Sequence, residues 1–174
     1  MTRYAALLRG VNVGGINLKM VDVAELFSSL GLENVKTVLA SGNVLFDSPL
    51  LAAELKPQIE AGLRERFGYE AWVHVLDVET IGRIIDGFPF EAEREGWHPY
   101  VIFTLDQPLA TELLDWQAKL DPQFESILPG DGVIYWTVER GNTLGSVFAK
   151  EAARAKHKAT TTTRNLRTLQ KLVR

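Results

Sequence analysis

Val35-Lys36-Thr37-Val38-Leu39-Ala40-Ser41-Gly42-Asn43-Val44-Leu45-Phe46 is the stretch that decides the architecture. Two β-rich runs, 35–40 and 44–46, flank the tight-turn signal Ser41-Gly42-Asn43 and predict a hairpin. On its N-terminal side, Val23, Leu26, Phe27 and Leu30 recur at helical spacing over 21–30, and Gly31 is the natural stop. Before that helix, the short apolar run 4–8 reads as a buried strand. On the C-terminal side, Ser48-Pro49 opens a helix through about Phe67, with Leu51, Leu55, Ile59 and Leu63 on one side. Pro57 inside it predicts a kink or a late start, Gly68 ends it, and 71–75 is a further strand. The resulting order, β-α-β-β-α-β, is that of a split-βαβ or ferredoxin-like unit.

The second half repeats this order. A helix at 78–86 precedes the Phe88-Pro89-Phe90 break and an acidic loop at 91–96. A strand at 100–105, a helix at 110–120, a short strand at 126–128, the turn Pro129-Gly130-Asp131-Gly132 and a strand at 133–138 follow. Two terminal helices, 146–156 and 164–173, finish the chain, and Thr160-Thr161-Thr162-Thr163 reads as the loop and N-cap between them. The expectation is an α+β fold of two tandem ferredoxin-like subdomains of similar topology plus C-terminal helices, with 1–77 and 78–174 packed as one unit. The duplication rests on element order, since no letter-for-letter repeat is visible.

At 174 residues, 46% hydrophobic and 24% charged, the chain has the composition of a globular protein with a sizeable core. No apolar run approaches the roughly 20 residues that span a bilayer, and the first residues lack the pattern of a signal peptide. The absence of cysteine excludes disulfides, thiolate nucleophiles and Cys-ligated metals, and points to a cytoplasmic location. The charge is asymmetric. Residues 150–174 hold eight Lys or Arg against Glu151 alone, a net +7, which leaves −10 on the first 149 residues of a chain whose total is −3. Such a field either steers an anionic partner or closes back on the acidic body.

The segment joining the first strand to the first helix carries Arg9, Gly10, Asn12, Gly14 and Gly15. Glycines there can turn backbone N–H groups toward one anion, and Arg9 and Asn12 add side-chain donors. It is neither a P-loop, since Ile16-Asn17 follows Gly15, nor a dinucleotide fingerprint, since Asn12 stands where glycine is required. Ser41 and Asn43 offer a hydroxyl and an amide at the hairpin turn. His74, His98 and His157 have no metal-pair spacing, with His74 packed in a strand and His98 in a loop, so no metal and no cofactor is expected. The acidic groups Asp77/Glu79 and Glu91/Glu93/Glu95 lie in polar connections and read as solvated. In the tail, helical spacing puts Arg164, Arg167, Lys171 and Arg174 on one side and Leu166, Leu169, Leu172 and Val173 on the other, while Lys150, Arg154 and His157 cluster on the preceding helix. Lys150, Arg154, Arg164, Arg167 and Lys171 are therefore candidate contacts to nucleic-acid phosphates, without a signature for base reading.

Ala6-Leu7-Leu8-Arg9-Gly10-Val11-Asn12-Val13-Gly14-Gly15, Ser41-Gly42-Asn43-Val44-Leu45-Phe46 and Thr163-Arg164-Asn165-Leu166-Arg167-Thr168 together resemble a bacterial family of uncharacterised cytosolic proteins, a domain of unknown function marked by an Arg-Gly-Ile-Asn-Val-Gly-Gly opening. The resemblance implies two tandem α+β subdomains and supplies no catalytic residues. Val11 replaces the family's Ile, and Leu166 stands where Trp is frequent, a position read as core. The leading functional expectation is a phosphate- or nucleotide-type anion-binding module built from Arg9, Gly10, Asn12, Gly14, Gly15, Ser41, Asn43, Thr163, Arg164 and Asn165. An enzyme acting on a small phosphorylated substrate and a structural or assembly role are the alternatives.

Overall fold

The computed structural model describes residues 1–9, 17–39, 42–105, 107–142, 145–154 and 160–174. Contacts divide the chain into two units, Met1–Gly82 with Lys171–Arg174, and Arg83–Gln170. Each carries one four-stranded antiparallel sheet, so the architecture is α+β. Among the described residues no helix is long and apolar enough to cross a membrane.

The first unit runs β1 (Thr2–Arg9), α1 (Met20–Ser29), β2 (Glu33–Thr37), β3 (Asn43–Ser48), α2 (Ala52–Phe67) and β4 (Trp72–Asp77), with strand order β2-β3-β1-β4. Period-two alternation sends Tyr4, Ala6 and Leu8 into one core with Val44, Phe46, Val73 and the apolar stripes of the two helices, Val23, Leu26 and Phe27 on α1 and Leu55, Ile59 and Leu63 on α2. Phe46 stacks on Tyr4 and meets Phe27 edge-on, both at 5.7 Å between ring centres. Ala5, Leu7 and Arg9 occupy the opposite face. The predicted hairpin forms. Gly42 adopts φ +87°, which a side chain would strain. Val38 N–H donates to the Asn43 carbonyl at 2.8 Å, and Asn43 Nδ2 donates back to the Val38 carbonyl at 2.9 Å. Pro57 lies inside α2 rather than at a late start, because the helix begins at Ala52, where Glu54 Oε2 accepts the Leu51 N–H.

β4 is an edge strand, and α2 closes that edge with side chains. Lys56 Nζ donates to the Val73 carbonyl at 2.8 Å and pairs with Glu60 Oε2 at 2.6 Å. The same Glu60 oxygen accepts the Val73 N–H at 3.0 Å. One turn on, Arg64 donates twice to the Ala71 carbonyl and lies 4.4 Å over the Trp72 ring.

Asp77 caps α3 (Val78–Asp86) through the Thr80 N–H and hydroxyl, so this carboxylate is spent on the helix start. The second unit then follows with β5 (Trp97–Thr104), α4 (Gln107–Leu114), a 3-10 turn (Asp115–Lys119), β6 (Glu125–Pro129), β7 (Val133–Glu139), α5 (Val147–Ala152), β8 (Thr161–Asn165) and α6 (Leu166–Leu172). Its strand order is β6-β7-β5-β8, the first sheet's order with each strand replaced by its counterpart four later. Ile102, Ile127, Ile134, Trp136, Val138, Leu109, Leu113 and Phe148 form its core.

Three expectations need correction here. The threonine run is a strand, not a loop: Thr161, Thr162 and Thr163 pair with Thr104, Phe103 and Ile102, and β-branched residues suit that pleated edge. The last helix therefore starts at Leu166, and Arg164 belongs to β8, off any helical stripe. His98 lies in β5 rather than in a loop. Pro99 argues locally against a strand, because proline is rare in one with neighbours on both sides. The ladder explains it. Arg140 N–H bonds Gly96 and Thr104 N–H bonds Gly132, which makes even-numbered β5 residues the ones bonded to β7 and turns the nitrogen of Pro99 toward β8. Pairing with β8 begins only at Tyr100, so no donor is missed.

Candidate functional site

Of the residues expected to bind an anion, Gly10, Asn12, Gly14, Gly15 and Ser41 lie outside the described residues, as does His157. Arg9 ends β1, opposite Trp72 of β4, and burial alone holds its guanidinium below the usual pKa. Asn43 of β3 faces Leu7 of β1, whose partner on β4 is His74. Both Asn43 and His74 are buried. Thus Arg9, Asn43 and His74 share the face of the first sheet that turns away from its helices.

In the second unit, alternation along β8 separates the other three. Thr163 and Asn165 stand on the helix-covered face beside Ile102 and Tyr100, whereas Arg164 pairs with Val101 on the opposite face. Arg164 is only 7% exposed. Its Nη1 donates to Thr162 Oγ1 at 2.8 Å and to the Thr163 carbonyl at 3.0 Å. Asn165 Oδ1 accepts the Arg167 N–H at 2.9 Å and so starts α6. Of the basic residues proposed for phosphate contact, Lys150, Arg154, Arg167 and Lys171 are exposed and Arg164 is not. Arg154 lies beyond the end of α5 and meets Glu151 at 3.3 Å. Leu166 is buried, as the core reading of that position requires.

One grouping had no signal in the sequence. His98 is the second residue of β5, Arg140 follows the last residue of β7 and Arg167 lies two residues beyond β8, and the two ladders bring these three segments to one end of the sheet. His98 is held below its ordinary pKa, first by burial and then by the charges of Arg140 and Arg167. Two acids lie nearby. Glu93 approaches Arg167 loosely, at 3.9 Å. Glu139, opposite Trp97, falls on the other face of the sheet from His98. The three basic residues are far apart in sequence, and only the register collects them. What the end of this sheet offers chemically is two guanidiniums and an imidazole, a set that takes oxyanions by charge-assisted hydrogen bonds.

The fold defines a class: two antiparallel α+β units with one strand order repeated. The chain belongs to the family described as Protein of unknown function (DUF1697), whose model matches residues 1–135. It is similar over 99% of its length to the solved structure of the conserved bacterial protein SP0830 from Streptococcus pneumoniae, covering 97% of that chain with a TM-score of 0.82 and 24% identity. At that identity the likeness concerns the fold. Among curated proteins none matches the chain.

Proposed function

We propose that this protein is a phosphate- or nucleotide-type anion-binding module, and that each unit is a ferredoxin-like split βαβ. The repeated order β2-β3-β1-β4 and β6-β7-β5-β8 supports the second part. The observation that carries the first is the end of the second sheet, where the ladders gather His98, Arg140 and Arg167 and where burial first, then the two arginine charges, disfavour the proton of His98. An oxyanion there would relieve that repulsion. Arg9, Asn12 and Ser41, with the glycines 10, 14 and 15, would serve an anion in the first unit, and Thr163 and Asn165 would line the approach in the second. Arg164 favours the structural reading for its own position, because burial and its bonds within β8 engage its guanidinium.

The test is a titration with inorganic phosphate and with AMP, following the His98 ring by NMR. Binding raises the pKa of His98, since the bound form favours the imidazolium. Arg140→Ala and Arg167→Ala each weaken affinity about tenfold, the loss of roughly 1.4 kcal/mol. An unmoved His98 titration with either anion refutes the proposal for this unit.

A further inference from the structure

A cavity of about 260 Å³ runs along β6 in the second unit, lined by Phe90, Gln117, Leu120, Pro122 and the strand residues 125–128. β6 is one of the two edge strands of its sheet. Glu139 N–H bonds Phe124 and Gly130 N–H bonds Val133, so the alternation directs Ser126 and Leu128 to β7 and turns the backbone N–H and carbonyl of Ile127 outward.

Among the described residues Glu125 is the only ionisable group lining this cavity, and it is 7% exposed. Its Oε1 accepts from Trp136 Nε1 at 3.1 Å and from Ser146 Oγ at 2.6 Å. Ser146 cannot turn away, since its oxygen also accepts the Ala149 N–H at the start of α5. The carboxylate is therefore fixed in orientation by neutral donors on one oxygen. Oε2 accepts no hydrogen bond from a described residue, and Glu125 lines the cavity. A carboxylate so buried is normally matched by a cation, and no described lysine, arginine or histidine pairs with this one.

We infer that the cavity is a binding site for a small organic cation, a primary amine whose ammonium pairs with Glu125 Oε2 and whose apolar body rests on Phe90, Leu120 and Pro122. The ring of Phe90 adds a face that attracts a cation. Since an apolar cavity of about 150 Å³ already takes benzene, one of about 260 Å³ has room for a single-ring amine. The outward amide of Ile127 gives a second polar contact to an amine that carries a neighbouring acceptor. This site takes the opposite charge to the anion site proposed above and stands or falls separately.

The probes are benzylamine and its neutral counterpart, benzyl alcohol, titrated into the full chain at pH 7 while following the Trp136 indole N–H resonance, which shares the carboxylate. Benzylamine binds saturably and moves that resonance, and benzyl alcohol binds about tenfold more weakly or worse. Glu125→Gln, which keeps an acceptor for Trp136 and Ser146, reduces the amine to the level of the alcohol. Equal affinity for the two probes, no saturable shift with millimolar benzylamine, or undiminished amine binding in Glu125→Gln would each overturn the inference. Should Glu125→Gln fail to fold, the comparison of amine with alcohol on the unaltered protein decides alone.

Discussion

Replacing Glu60 with alanine tests how the first sheet protects its edge. The Glu60 carboxylate sits between helix and strand, accepting the Val73 N–H at 3.0 Å and the Lys56 ammonium at 2.6 Å with a side chain only 10% exposed. Glu60→Ala leaves a buried backbone donor unmatched, a penalty of about 1–3 kcal/mol, and removes a charge-assisted bond to a lysine that keeps the Val73 carbonyl. Because Lys56 is 29% exposed and can rehydrate, its share is small, and the total comes to about 2–3 kcal/mol. In a chain of this length that lowers the melting temperature by roughly 4–12 °C. Glu60→Gln retains an acceptor for Val73 and should lose about 1 kcal/mol, a third to a half as much. Urea unfolding gives the free energies, and hydrogen exchange at the Val73 amide localises the effect, with faster exchange in Glu60→Ala than in Glu60→Gln. A Glu60→Ala protein within about 0.5 kcal/mol of the parent, with Val73 exchange unchanged, would refute the edge-closing role.

Other substitutions probe the second unit. Ser146→Ala removes both the cap of α5 and a donor to the buried Glu125, so urea unfolding should show a loss of about 2–4 kcal/mol. Gly130→Ala places a Cβ 2.5 Å from Tyr135 Cε2 and 2.7 Å from Val133 Cγ2, and thermal unfolding should show about 1–3 kcal/mol of overpacking. Since Tyr135 is held by its hydroxyl donating to the Ile84 carbonyl at 2.7 Å, adding Tyr135→Ala should lower the further cost of Gly130→Ala, leaving the part due to Val133. For His98 the sign follows from its lowered folded pKa. The unfolded chain takes the proton first, so stability is full above the unfolded value near 6.5 and falls as pH drops toward the folded one. His98→Asn should therefore lose less stability than the parent between pH 7 and pH 5 in urea melts, and an equal loss would exclude this contribution.

The first unit was legible because each of its elements announces itself locally. The hairpin has a turn glycine at positive φ, α1 and α2 have apolar stripes ended by Gly31 and Gly68, and β1 is an unbroken apolar run. The second unit was harder to read where a partner strand, not the local sequence, fixes the conformation. Four threonines between helical patterns have the composition of a connection, and only the open side of β5 makes them a strand. Arg164 then moved from a solvated helix face to a buried strand position, which removes it from the basic stripe. Glu125 illustrates the same limit at the cavity. Nothing around it in sequence distinguishes it from the other surface-type acids, and its burial comes from Trp136 and Ser146, which arrive from elsewhere in the chain.

Pro99 has a reach beyond its own strand. Leu105 N–H bonds Thr160, which fixes the odd-numbered β5 residues as those that exchange bonds with β8, and the next such rung after Tyr100–Asn165 would set Leu166 against Pro99. Proline has no hydrogen to give there, and at that residue the chain leaves the sheet and winds into α6. The punctuation mark that ends the last strand is thus written on a distant segment. Arg167 therefore leaves the sheet one residue past the rung that Pro99 cannot complete.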